Sequence, residues 1–356
     1  MENIYQLLQV GNEEKAAKLL DVFLCRKFKL EVRDLQFLQS AVSLNSFKGS
    51  FESRGRKYFF KTHIESGGEV EEYAGAQLLE EAGYPVILPV YSCVERGREI
   101  LVYPWIDELS LFEVSEFDFR KQENLDKRLF EIYMETFERG KYEYPAVQQL
   151  FYKRLCGPRF QDFYGGLNES ERFIVNGQDL GILGEKLDMA RQLLAPDNMM
   201  PFSVIGHGDA HNGNVFLGAK LQYFDPAYAG RMDPFLDLTK PIFHNTFARW
   251  MYFSEEDFEL AVRRTKGRVE IDYECPLTDL EQRFFQSKID NVVRPLVMFL
   301  EREKLLPKDW ENRFQSSLLC CPLLTVNLFK FPKRVTALGF ARVMEMATFN
   351  FNSFFL

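Results

Sequence analysis

The pattern of apolar and polar positions divides the chain into a short mixed part and a longer helical one. Residues 12–28, NEEKAAKLLDVFLCRKF, read as a helix, with Asn12 as its cap, acids in the first turn and bases in the last. From 43 to 64 the pattern becomes extended and aromatic. SLNSFKGSFES and KYFFKTHI are separated there by the turn signal Arg54-Gly55-Arg56. Residues 69–83 read as a helix, because Val70, Tyr73, Ala74, Gln77 and Leu78 share one face and Gly83 followed by Pro85 stops it. VILPVYSCVE and REILVYPWI then predict two more strands around the turn Arg96-Gly97. The order strand, strand, helix, strand, strand describes a small mixed domain.

After Asp107 the stretch DELSLFEVSEFDFRKQENLDK reads as a polar, acidic linker. Helical patterns follow near 122–139, 146–156 and 178–195, interrupted by the extended pieces VIGHGD, NVFL and LQYFD, and helices resume after 240. Thr278-Asp279-Leu280-Glu281 forms a capping box, and Phe285, Ile289, Val292, Leu296 and Phe299 continue one apolar face beyond it. Pro295 is expected to kink that helix. The resulting division is an N-terminal helical extension (1–43), a small lobe (44–106) and a large helical lobe (107–356).

Composition adds limits. Hydrophobic residues make up 46% and charged residues 27% of the 356, as in an ordinary globular protein, and 35 phenylalanines predict an aromatic core. A formal net charge of −8 argues against a nucleic-acid binder and suits a cationic small substrate. The six scattered cysteines, with no CxxC, are expected to be buried free thiols in a reducing compartment. MENIYQLLQVGNEEK lacks the basic and apolar regions of a signal peptide. The most apolar patch, SLLCCPLLTVNLF, is broken by Pro322 and Asn327, so no membrane span is expected and the location reads as cytoplasmic.

The candidate chemistry lies in GHGDAHNGNVFL (206–217) and FDPAYAGRMDPFLDL (224–238). Asp209 and Asn214 sit five apart in a short loop, where Gly208 and Gly213 permit a turn that faces both side chains into one space. The hairpin that follows returns the chain so that Asp225 arrives beside Asn214. Two hard oxygen ligands with open positions suit Mg²⁺, which takes its other ligands from water and substrate phosphates. Asp209 is then free to orient a hydroxyl. A zinc site from His207, Asp209, His211 and Asp225 would lack both a cysteine partner and a helical HExxH.

H-G-D-x-x-x-x-N, followed by a hairpin and Asp, resembles the catalytic and metal loops of the aminoglycoside phosphotransferase and choline kinase-like families. MDPFLDL (232–238) is similar to their D-P-x-x-D-L segment. The resemblance covers roughly residues 44–240. It implies an α+β, two-lobed protein-kinase-like fold, with Asp209 as catalytic base and Asn214 and Asp225 as Mg²⁺ ligands. By the same resemblance Lys61 would bind ATP phosphates and Glu72, in preference to Glu71, would hold that lysine. Tyr103 and Trp105 would flank the backbone groups that bind adenine.

This chain departs from kinase patterns at several points. It has no GxGxxG, leaving SFKGS with Gly49 and Ser50 as the candidate phosphate-covering loop. Asp225-Pro226-Ala227 stands for Asp-Phe-Gly, and His211 occupies the second position after Asp209, where it would contact the γ-phosphate. His207 and Asp237 are expected to be structural, His63 and His244 to be ordinary, and SEEDFE and EIDYE to be solvated faces. Asp233 could serve structure or substrate. The reading is an ATP- and Mg²⁺-dependent phosphotransferase acting on a hydroxyl of an aminoglycoside, amino sugar or amino alcohol. The alternatives are a sugar or saccharide-lipid kinase and a catalytically silent kinase-like scaffold; the absence of HRD, DFG and APE disfavours a protein kinase.

Overall fold

Strand alternation builds the first lobe and sets which residues face the cleft. The computed structural model describes residues 2–38, 47–63, 72–95, 98–253 and 258–351. Helices α1 (Glu2–Gln9) and α2 (Glu13–Phe28) precede five strands: β1 (Arg33–Leu38), β2 (Lys48–Ser53), β3 (Arg56–His63), β4 (Tyr91–Glu95) and β5 (Arg98–Pro104). They form one antiparallel sheet in the order β1-β2-β3-β5-β4, with α3 (Glu72–Glu81) inserted between β3 and β4. Asn12 caps α2 through its side chain, as its position predicts. Phe51, Phe60, Ile100 and Val102 turn to one face and pack under Ala16, Leu20, Phe23 and Leu24 of α2. The alternate residues Phe59, Lys61 and Tyr103 therefore turn to the other face.

Two sequence expectations change in this lobe. Sequence alone offered no strand before residue 43, yet β1 pairs with β2 and belongs to the sheet. Gly49 and Ser50 are not in a loop; they pair inside β2 with Phe60 and Phe59. A Cβ on Gly49 would lie 2.1 Å from the Gln36 carbonyl oxygen and 2.5 Å from the Phe60 ring, so close strand packing accounts for the glycine. The connection at 39–46, the side chain of His63 and the turn Arg96-Gly97 lie outside the described residues.

The second lobe begins with α4 (Arg120–Thr136) and the short β6 (Glu138–Arg139). It continues through α5 (Ala146–Cys156), α6 (Pro158–Tyr164), β7 (Arg172–Val175), β8 (Gln178–Ile182) and α7 (Leu183–Leu193). Residues 178–182 are thus a strand and not the start of a helix, because Asn176-Gly177, both at positive φ, make a tight hairpin with β7. Next come β9 (Phe202–Gly206), β10 (Val215–Leu217), β11 (Leu221–Tyr223), β12 (Gly230–Met232), α8 (Pro234–Thr246) and α9 (Arg249–Tyr252). The pair β13 (Glu259–Thr265) and β14 (Arg268–Glu274) joins β7 and β8 in a four-stranded sheet, so EIDYE lies in a strand with Ile271 buried. Of SEEDFE, residues 254–257 lie outside the described part.

The last helices are α10 (Asp279–Lys288), α11 (Arg294–Arg302), α12 (Trp310–Leu324) and α13 (Lys333–Met346). Thr278 and Glu281 complete the capping box of α10. Before Pro295 the chain makes a single π turn at Ile289–Val293, which is how the helix accommodates the missing proline N–H. The aromatic core is as dense as the composition implies, with Phe314 and Phe351 stacked at 4.5 Å and Phe235 set 5.0 Å from Trp310. Of the six free cysteines only Cys320 and Cys321 are buried, while Cys25 and Cys156 are exposed. Among the described residues no helix is long and apolar enough to cross a membrane.

Asp233 is settled by its surroundings. It is wholly buried, its Oδ1 caps α8 at the Phe235 N–H, and its Oδ2 accepts from Arg313 Nε at 2.6 Å. Arg313 also donates to the carbonyls of Leu193 and Asn198 and to Gln148 Oε1. Asp233 thus locks α8 to α5, α7 and α12. Arg313→Met leaves a buried carboxylate unpaired and is expected to cost about 3–5 kcal/mol, measured by urea unfolding against wild type.

Candidate active site

Three elements bring charge together at the cleft. Lys61 projects from β3 and its Nζ lies 2.8 Å from Glu72 Oε2 and 2.6 Å from Asp225 Oδ1. Glu72 is the first residue of α3 and is fully buried. Its Oε1 accepts from the Tyr103 hydroxyl at 2.5 Å, while Glu99 of β5 accepts the backbone N–H groups of Glu72 and Tyr73 and so caps α3. Glu72 is thus the glutamate seen paired with Lys61; Glu71 lies outside the described residues.

One ammonium thus serves two carboxylates in a buried place. Burial pulls the Lys61 pKa down, but Asp225 and Glu72 outweigh it and hold the lysine above its ordinary value. Burial pushes Glu72 up, Lys61 opposes that, and Asp225 adds repulsion, leaving Glu72 at about 7. Asp225 itself is pushed up by burial and pulled lower still by Lys61, for a net depression.

The base-binding expectation needs correction. The Tyr103 ring is fully buried, 4.8 Å from Phe224, and its hydroxyl holds Glu72, so Tyr103 supports the ion pair. Trp105 uses its backbone N–H on the Lys57 carbonyl and its indole on Asp107, with Lys57 Nζ 3.5 Å over the ring.

The loop between β9 and β10 is fixed largely through its backbone. Gly208 has φ +75°, and a Cβ there would meet the Tyr228 carbonyl oxygen at 2.6 Å, so only glycine fits. Its N–H donates to Asp237 Oδ1 at 2.6 Å, and the Tyr133 hydroxyl donates to Asp237 Oδ2 at 2.5 Å, giving Asp237 the structural part expected of it. Buried His207 accepts the Asp209 N–H at Nδ1, which leaves Nε2–H to donate to the Phe224 carbonyl at 3.1 Å. Asn214 donates Nδ2–H to the Asp209 carbonyl at 2.9 Å, keeping Oδ1 as its acceptor. Asp225 has φ +60°, a conformation costly for a side-chain-bearing residue and characteristic of functional positions.

These donors fit Mg²⁺: Asn214 and Asp225 offer hard oxygens but no full cage. Among the described residues no three His, Cys, Asp or Glu side chains converge as metal ligands, so phosphates and water would complete the shell.

Four contributors were not read from the sequence. Besides Glu99, they are Lys240, His244 and Tyr252, all grouped around Asp209. Lys240 Nζ lies 2.9 Å from Asp209 Oδ1, and His211 Nε2 lies 3.6 Å from the same oxygen. Burial pushes Asp209 up, but the Lys240 ammonium, the largest opposing influence, holds it well below the usual carboxylate range. His211 accepts the Gly213 N–H at Nδ1, and burial keeps its pKa low, so a neutral imidazole stands beside Asp209. His244 is not ordinary: its ring lies 5.5 Å from His211, and its Nδ1 bonds the Tyr252 hydroxyl at 2.8 Å. Burial, with His211 beside it, holds His244 well below its ordinary pKa. The signal was present in α8, where Asp233, Asp237, Lys240 and His244 recur at helical spacing in an otherwise apolar segment.

Because its folded pKa lies near 7 and above the ordinary 4.5, Glu72 favours the protonated protein. Its contribution is full below the unfolded pKa and is lost as pH rises from 4.5 towards 7. Glu72→Gln is expected to flatten that decline in melting temperature between pH 5 and 7.5, read without nucleotide.

No family model matches the sequence, and no curated protein matches it. Solved structures do. The chain is similar to a thermostable mutant of aminoglycoside phosphotransferase APH(4)-Ia in ternary complex with AMP-PNP and hygromycin B. Identity is 13%, coverage 93% of this chain and 99% of that chain, and TM-score 0.52. It is also similar to APH(4)-Ia itself, at 13% identity, 92% and 98% coverage and TM-score 0.51. A protein provisionally assigned as a fructosamine-3-kinase from Haemophilus somnus 129PT matches at 11% identity, 92% and 96% coverage and TM-score 0.50. A small antiparallel lobe with an inserted helix, a helical lobe and this span of likeness identify the chain's fold as the protein-kinase-like fold of small-molecule phosphotransferases.

Proposed function

We propose that the chain is an ATP- and Mg²⁺-dependent phosphotransferase that moves the γ-phosphate to a hydroxyl of a small polar acceptor. The observation that carries this reading is the convergence of Lys61, Glu72 and Asp225 in one ion-paired group, with Asp209 and Asn214 on a single rigid loop nearby. Lys61, oriented by Glu72, binds nucleotide phosphates. Asn214 and Asp225 hold Mg²⁺, which when bound neutralises charge across the phosphates. Asp209 accepts the acceptor hydroxyl's hydrogen bond and aims its oxygen at phosphorus. Held well below the ordinary range, Asp209 is a weak base, so the proton moves late, after bonding to phosphorus has begun. Catalysis in this scheme is positioning and charge stabilisation.

The acceptor belongs among polyhydroxylated or amino-bearing small molecules. The ligand named for the similar APH(4)-Ia complex, hygromycin B, supports that class. On this chain the exposed rings of Phe112, Tyr252 and Phe253 form a shelf, joined to Asp209 through His244 and His211. Apolar ring faces suit the CH-rich face of a sugar.

Asp209→Ala is expected to reduce phosphate transfer by about 10²–10⁴-fold while Mg·ADP binding stays near wild type; normal turnover in this variant would remove the mechanism. Asp225→Ala should lose the Mg²⁺-dependent part of the thermal shift that nucleotide produces, and a retained shift would exclude its metal role. ATP consumption across amino sugars, sugars, amino alcohols and nucleosides identifies the acceptor.

A further inference from the structure

The proposed reaction leaves Lys240, a buried cation beside Asp209, without a task. Lys240 comes from α8, whose residues from Pro234 to Phe243 are all buried, and its own side chain is 10% exposed. An ammonium in such a place is costly unless it is paired. Its Nζ lies 2.9 Å from Asp209 Oδ1 and 4.6 Å from the centre of the Tyr228 ring. These two contacts fix the position of the ammonium, which has three donor directions to use. The carboxylate it touches is the one that positions the acceptor oxygen, so the transferring phosphoryl group passes beside Lys240.

The other cationic candidates are committed or neutral. Lys61 is bound to Glu72 and Asp225. His211, at the second position after Asp209, spends Nδ1 on the Gly213 N–H and has its pKa lowered by burial. His244 is held neutral in the same way and is turned towards Tyr252. Charge that develops on the phosphoryl oxygens next to Asp209 therefore meets an ammonium from α8 and not one from the catalytic loop.

Resting on the phosphotransferase reading above, we propose that Lys240 is a catalytic residue whose ammonium bridges Asp209 and the equatorial oxygens of the phosphoryl group in flight. The bond between acceptor oxygen and phosphorus forms as the bond from phosphorus to the bridging oxygen breaks. The electron pair of that broken bond leaves on ADP. The acceptor's proton passes to Asp209 and then to solvent. Lys240 keeps its protons and supplies charge alone, the kind of contact that matters most where negative charge is shared among three oxygens. In the absence of nucleotide the same ammonium rests on Asp209, which keeps that carboxylate ionised and in place.

The test uses the full chain as wild type, Lys240→Met and Lys240→Arg. The probes are Mg·ADP and Mg·ADP with aluminium fluoride, which mimics the phosphoryl group in flight and needs no knowledge of the acceptor. Wild type is expected to bind the fluoride complex more tightly than Mg·ADP. Lys240→Met should keep Mg·ADP affinity within about threefold and lose about tenfold or more of the fluoride-dependent gain, with Lys240→Arg recovering part of it. With ATP as substrate, kcat falls in Lys240→Met while KM for ATP holds, and the fluoride-dependent gain separates direct contact with the phosphoryl group from mere support of Asp209. Should Lys240→Met fail to fold, Lys240→Gln carries the same comparison. A methionine or glutamine variant that folds and keeps the full gain overturns the role of Lys240 alone. A wild-type chain that binds no Mg·ADP overturns the phosphotransferase reading, and this role with it.

Discussion

One ammonium shared by two carboxylates organises the cleft. Lys61 joins β3 of the first lobe, α3 through Glu72, and the second lobe through Asp225. Such a buried group stands only if each partner is itself held, because removing one charge leaves another uncompensated. The surroundings provide this: Tyr103 and Phe224 pack against each other, the Tyr103 hydroxyl fixes Glu72, and Glu99 secures the start of its helix. The group as drawn carries one net negative charge. A cation placed beside Asp225 would offset that charge, so the group is electrostatically suited to a positive ligand.

The second organising device is helix α8, which supplies polar groups at Asp233, Asp237, Lys240 and His244 along one stripe. Asp233 belongs to the core network around Arg313, and Asp237 holds the backbone of Gly208. Lys240 and His244 belong to the neighbourhood of Asp209. A single helix therefore anchors the core and supports the loop around Asp209, so that loop needs few stabilising side chains of its own.

Much of this was legible in the sequence, for identifiable reasons. Hairpin and cap signals are local, so the Arg54-Gly55 turn, the Asn12 cap and the Thr278 capping box could be placed directly. Asp209, Asn214 and Asp225 could be expected to lie near one another because a short loop and hairpin confine them. What escaped depends on long-range packing. Strand β1 is polar and mostly exposed, with no strong alternation to announce it. Gly49 resembled a phosphate-loop glycine but answers to the Gln36 carbonyl across the sheet. Tyr103 was assigned to adenine because its burial against Phe224 is a tertiary fact. Lys240 and His244 were passed over because a helix pattern shows which residues share a face, not what that face meets.

The stripe on α8 also grades from scaffold to surface. Asp233 at its start is sealed from water, Asp237 and Lys240 are nearly so, and His244 at its end is only partly buried beside the Tyr252 hydroxyl. Each position lies about one helical turn, roughly 5.4 Å, further along the helix. Tolerance of substitution should rise along the same axis: the first turn admits almost no change, while the last can vary without reopening the packing that holds the helix.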